Sequence, residues 1–132
     1  MSKFTLLLAG FFLFNSCSEA QVKTSPEKSQ EGVINQVISA DEFKAKLGEE
    51  NIQLVDVRTP DEYNAGKIGD ASNMDFYADD FKSKLEKLDK SQPVMIYCAS
   101  GGRSGKTASM MKSMGFTEVY DLQGGFNGWP YK

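Results

Sequence analysis

Alternation of short apolar runs with helix-start signals is what most restricts this chain. "IQLVDV" (52–57), "PVMIYC" (93–98) and "EVYDL" (118–122) are apolar runs rich in β-branched and aromatic residues. They have the length of buried strands, and helices need longer runs. Between them lie helix signals. "SADE" (39–42) and "TPDE" (59–62) are capping boxes, in which the Ser39 or Thr59 hydroxyl accepts an N–H that Glu42 or Glu62 repays from N3. Pro60 takes the first helical position, where a missing N–H costs nothing. The first box opens a helix through Leu47 and the second a helix ending at Gly66. Phe81, Leu85 and Leu88 recur at i, i+4 and i+7, predicting an amphipathic helix, and "SGKTASMMKSMGF" (104–116) a helix closed by Gly115. "DASNM" (70–74) reads as a short strand, and "GGFNGW" (124–129) as a closing turn or short helix. Strand–helix alternation with short links gives an α/β fold with a parallel sheet covered on both faces. Ligands of such folds bind beyond the carboxyl ends of the strands, where the loop after Cys98 falls.

The N-terminus is a separate unit. Lys3 precedes an apolar run from Phe4 to Phe14, with small residues around Cys17. As a helix the run spans roughly 16 Å, about half of a ~30 Å hydrocarbon core, so it suits an export signal and is too short for a membrane span. "LFNSC" resembles a lipoprotein signal, with Ser16 preceding a cysteine that is lipidated and becomes the mature N-terminus. Ordinary export with cleavage near Ala20 is the alternative. The expected organisation is a signal at 1–17, a polar flexible tether at 18–32 and a folded domain at 33–132. The expected location is periplasmic or cell-envelope, with a lipid on Cys17 as the only membrane contact.

Composition narrows the chemistry. The 132 residues include no histidine and only two cysteines, Cys17 and Cys98. Histidine is the usual general base near neutral pH and the commonest metal ligand, so no metal site or cofactor is expected. A net charge of -3 without a basic segment argues against nucleic acid as a partner, and a monomer is expected. With Cys17 lipidated, Cys98 has no disulfide partner, and a lone thiol in an oxidising compartment needs burial or a purpose.

"CASGGRSGKT" (98–107) admits two readings. From Ser100 it is one residue away from the phosphate loop G-x-x-x-x-G-K-[ST], but Ser100 stands where the tight turn needs glycine. The folded part is also small for a nucleotide hydrolase. From Cys98 it places a thiol at the end of a strand and the mouth of a glycine-rich loop that leads into a helix. Successive N–H groups of such a loop converge into an anion-binding nest, and the helix N-terminus adds positive potential. Gly101 and Gly102 relieve the curvature, and Arg103 sets a forked cation beside the thiol. A free cysteine titrates near about 8.5, and lowering that pKa by ~2 takes ~2.7 kcal/mol, within reach of such a setting. An isolated cysteine is more often a buried structural residue; the strand, glycines, arginine and helix together favour a nucleophile.

Three segments carry a family resemblance. "LVDVRTPDEYNAGKIGDASNM" resembles the first signature of single-domain rhodaneses, "VMIYCASGGRS" their active loop Cys-x-x-Gly-x-Arg-Ser, and "VYDLQGGFNGW" their closing strand with Gly-Gly-x-x-x-Trp. The resemblance implies a rhodanese-like three-layer sandwich, with a mostly parallel sheet of about five strands and helices on both faces. It also implies a sulfurtransferase. Cys98 takes a sulfane sulfur from a small anionic donor such as thiosulfate and passes it to cyanide or a thiol, a thiol protein included. Backbone from Ala99 through Ser100, Gly101 and Gly102 to Ser104 cradles the persulfide, and Arg103 binds the donor. Asp56 and Arg58 brace the loop, or Arg58 pairs structurally with Glu62. Lys106 adds positive potential. Four residues separate Cys98 from Arg103, where related cysteine phosphatases have five, and Tyr97 stands where tyrosine phosphatases carry histidine. Lys67-Ile68-Gly69 replaces the family's frequent His-Ile-Pro. The rival readings are a non-catalytic sulfur-sensing or binding module on the same fold, and a small phosphatase or arsenate reductase.

Overall fold

The computed structural model describes residues 32–132. The expected export signal, Cys17 and the expected tether up to residue 31 lie outside the described residues.

Five strands and four helices alternate: β1 Ile34–Ile38, α1 Ala40–Lys46, β2 Gln53–Asp56, α2 Pro60–Asn64, β3 Ser72–Asn73, α3 Phe81–Glu86, β4 Val94–Tyr97, α4 Gly102–Ser113 and β5 Glu118–Leu122. A 3₁₀ turn follows at Phe126–Gly128. The sheet order is β1-β5-β4-β2-β3, and each neighbouring pair is parallel. Both capping boxes form as their sequences require. Successive residues of a strand face opposite sides, so β4 feeds two cores. Val94, Ile96 and Cys98 pack with Phe81 and Leu85 of α3 and with Ala108 and Met111 of α4. Met95 and Tyr97 pack with Phe43 of α1, Trp129 and, at the margin, Tyr63 of α2. Helices therefore cover both faces of a five-stranded parallel sheet, the expected three layers.

Strand β1 has no apolar run to announce it: "INQVI" holds two amides and leaves Val37 66% exposed at the sheet edge. Its place follows from five-residue pairing with β5, a tertiary fact.

Adjacent strands β2 and β4 send their chains to opposite faces, β2 into α2 and β4 into α4. Loops that diverge in this way open a crevice at the carboxyl edge, the place where α/β sheets bind ligands.

Candidate active site

Cys98 follows directly on β4 and is 1% exposed, the one free cysteine among the described residues. The chain then turns through Gly101, whose φ of 109° lies in the region glycine tolerates, and enters α4 with no side chain capping its start. The orphan N–H groups of that first turn are thus open to the sulfur. Gly101 N–H donates to Cys98 Sγ at 3.0 Å, and the buried Ser104 hydroxyl lies 3.4 Å from it. Burial, the largest influence, pushes the thiol pKa up. The Ser104 hydroxyl and the N–H groups of Ser104, Gly101 and Ser100 outweigh it, so the net shift is downward. The thiol is thus more acidic than an ordinary one, without histidine.

The loop is also held from behind. Phe126 N–H donates to Cys98 O (2.8 Å) and Asn127 N–H to Ala99 O (2.9 Å), tying both carbonyls to the closing turn. The approach is so close that a Cβ on Gly125 would lie 2.5 Å from Cys98 O and 2.6 Å from Ala99 O.

Arg103, expected to face the donor, gives two donors to Glu62: Nη1 to Oε2 at 2.8 Å and Nη2 to Oε1 at 2.9 Å. Glu62 Oε2 still accepts from the Thr59 N–H and hydroxyl, so one carboxylate closes the cap of α2 and anchors the arginine of α4. The Arg103 bonds lead in lowering the Glu62 pKa to about 2. Exposed Tyr77 sets its ring 5.8 Å from the guanidinium.

Arg58 does not pair with Glu62, which corrects one of the two sequence alternatives. Asp56 holds Arg58 instead, accepting from its N–H, Nε and Nη2 at 2.7–3.1 Å, and Nη2 also reaches Gly66 O. Two residues apart at the end of one strand, the pair closes a local fork that the longer reach to Glu62 cannot match. The guanidinium lies 4.1 Å from the Phe126 ring centre. Phe126 thus stands between the Asp56–Arg58 pair and the Cys98 loop, under the guanidinium on one side and bonded to Cys98 O on the other.

The backbone from Ala99 to Ser104 forms the turn around Sγ, with Gly102 opening α4. Lys106 is exposed and makes no hydrogen bond or ion pair among the described residues. Tyr97 faces away from the thiol, and its hydroxyl accepts the Ile68 N–H at 3.0 Å. Sequence reasoning missed two participants: Glu62 as partner of Arg103 and Gly125 as backbone cradle. Only the Gly-Gly pair at 124–125 carried a local signal.

Residues 39–131 match the Rhodanese-like domain family. Uncharacterized protein YqhL of Bacillus subtilis is 35% identical over 96 residues, 73% of each chain. Thiosulfate sulfurtransferase GlpE of Tolumonas auensis is 30% identical over 92 residues, 70% of this chain and 85% of that protein. The crystal structure of a rhodanese-like domain protein from Staphylococcus aureus superposes with a TM-score of 0.64 at 32% identity, covering 71% of this chain and 90% of that one.

Proposed function

The chain belongs to the rhodanese-like domain family, and on that premise we propose that it is a sulfurtransferase with Cys98 as its persulfide carrier. The observation that carries this reading is the Cys98 sulfur enclosed by N–H and hydroxyl donors at the open start of α4. The thiolate attacks the outer sulfur of a donor such as thiosulfate, the donor's S–S bond breaks, and sulfite leaves with the bonding pair. The product is a Cys98 persulfide anion, which the same donors stabilise. An acceptor nucleophile, cyanide or a thiol, then attacks the outer sulfur and returns Cys98 as thiolate. This is two-step covalent catalysis. The similarity to a protein named thiosulfate sulfurtransferase supports the donor class. Export and a lipid anchor at Cys17 belong to the same proposal and rest on residues 1–17; loss of labelled-lipid incorporation in Cys17→Ser tests them.

Incubation with thiosulfate should add about 32 Da to the Cys98 peptide, and cyanide should discharge it. Cys98→Ala should stay folded and transfer no sulfur. Full transfer by that variant would sink the proposal. An adduct that forms but that neither cyanide nor a thiol discharges would favour the sulfur-sensing module instead.

A further inference from the structure

Four large apolar side chains stand exposed among the described residues: Val33, Val37, Tyr77 and Tyr131. The valines lie in or beside edge strand β1, and Lys44 covers the Tyr131 ring, with its Nζ 3.7 Å from the ring centre. Tyr77, the most exposed at 68%, stands at the site: its ring centre lies 5.8 Å from the Arg103 guanidinium. That is within cation–π reach. A single exposed aromatic is ordinary in itself; its place against the arginine is what gives it a role.

The ring is held there without being buried. Met74 N–H donates to Asp56 O (2.9 Å) and Phe76 N–H to Val57 O (3.2 Å), tying the segment after β3 to the end of β2. Tyr77 N–H donates to Asp75 Oδ1 at 3.0 Å. Phe76 meets Tyr77 edge-to-face, and it meets core residue Phe81 in the same way, with ring centres 5.4 Å apart in both pairs. Glu62 takes two donors of Arg103 and leaves the others for an anion. An oxyanion bound there has Tyr77 beside it, so the group it carries meets the ring. The same segment holds Asp75, Asp79 and Asp80; Asp80 pairs with Lys84 at 3.2 Å, and the other two form no ion pair among the described residues. A second negative charge on the ligand is opposed there, and an apolar group is not.

We propose that Tyr77 is a specificity-determining residue that biases the site toward organic thiosulfonate donors, in which an apolar group replaces one oxygen on the inner sulfur of thiosulfate. The sulfonyl oxygens lie on Arg103 and the apolar group lies against the Tyr77 ring. This rests on the sulfurtransferase reading. The Cys98 thiolate attacks the outer sulfur, one S–S bond forms as the donor's S–S bond breaks, and the sulfinate leaves with the bonding pair. Thiosulfate carries a charged oxygen in place of the apolar group and leaves the ring unused.

Initial rates of thiocyanate formation from cyanide, with benzenethiosulfonate or thiosulfate as donor to the full chain, test the role. Tyr77→Ala should lower kcat/KM for benzenethiosulfonate about five- to tenfold, the scale of one aromatic contact, and leave that for thiosulfate within about twofold. Comparing variants within each donor cancels the donors' different reactivity. Tyr77→Phe keeps the ring and should keep both rates. Peptide-resolved alkylation of Cys98 by iodoacetamide, followed against pH without donor, should be the same in native protein and Tyr77→Ala, because the ring acts on the donor and not on the thiol. An equal change with both donors, no change with either, a loss in Tyr77→Phe matching that in Tyr77→Ala, or a shifted alkylation profile overturns the role of Tyr77 and leaves the sulfurtransferase reading standing. No transfer from either donor by the native protein overturns that reading and this proposal with it.

Discussion

Glu62 and Arg103, 41 positions apart, join the first turns of α2 and α4 by two charge-assisted hydrogen bonds of 2.8 and 2.9 Å. These are the helices that leave adjacent strands for opposite faces, so the pair ties the two together at the carboxyl edge of the sheet. It also fixes the plane of the guanidinium beside the Cys98 loop. Two of the five donors are used, and the rest remain for an anion.

That geometry demands a fork. Arg103→Lys keeps the charge but replaces two parallel donors with a point charge. The kcat/KM for thiosulfate should fall by about tenfold or more, since each lost charge-assisted bond is worth about 1.5–3 kcal/mol. In Arg103→Ala the Glu62 carboxyl should return from about 2 toward 4.5, seen by NMR titration. A lowered carboxylate pKa contributes stability above the ordinary value and loses it as pH falls through the folded one. The native pair should therefore hold at pH 5 and weaken between 4.5 and about 2. Unchanged thiosulfate kinetics in Arg103→Lys would count against the fork.

Gly125 should be the least replaceable glycine of the closing turn. Its φ is 58°, and a Cβ would strike the Cys98 and Ala99 carbonyl groups at 2.5–2.6 Å. Gly125→Ala should cost about 2–4 kcal/mol in urea unfolding and lower Cys98 alkylation at neutral pH. Gly128, three residues on, has open space at its Cβ position; Gly128→Ala should stay within about 0.5 kcal/mol. Equal effects at the two positions would refute the backbone cradle.

The contrast shows where sequence reading reaches. Capping boxes, buried central strands and the thiol at the mouth of a glycine loop are local patterns, each legible within a few residues. Strand β1 is not, because an edge strand with one buried end needs no apolar run. Thr59-x-x-Glu62 reads as a helix cap and is one, but nothing local says that its carboxylate also takes a partner 41 positions away. Asp121 sits in a run that alternates like any strand, and only the packing of α4 over it shows that its carboxyl is sealed in.

Tyr97 tests the opposite face of β4. Its hydroxyl is the partner of the Ile68 N–H, and burial raises its own pKa. Tyr97→Phe strands a buried N–H and should cost about 1–3 kcal/mol in urea unfolding. Because the ring faces away from the sulfur, the alkylation profile of Cys98 should stay in place. A shifted profile would mean that Tyr97 acts on the thiol after all.

Asp121 makes the sharpest stability prediction. Burial raises its pKa from 3.8 to about 6, so the fold favours the neutral acid. The sign follows from linkage: the unfolded chain ionises first as pH rises past 3.8, and the folded state is penalised until its own carboxyl ionises near about 6. Below 3.8 native protein and Asp121→Asn should melt alike. Above about 6 the amide variant should be more stable by on the order of 2–3 kcal/mol, because a tenfold change in proton affinity is worth about 1.4 kcal/mol. Thermal melts at about pH 3.5 and about pH 8 decide it, and a difference of the same size at both would show that the charge is not the cause.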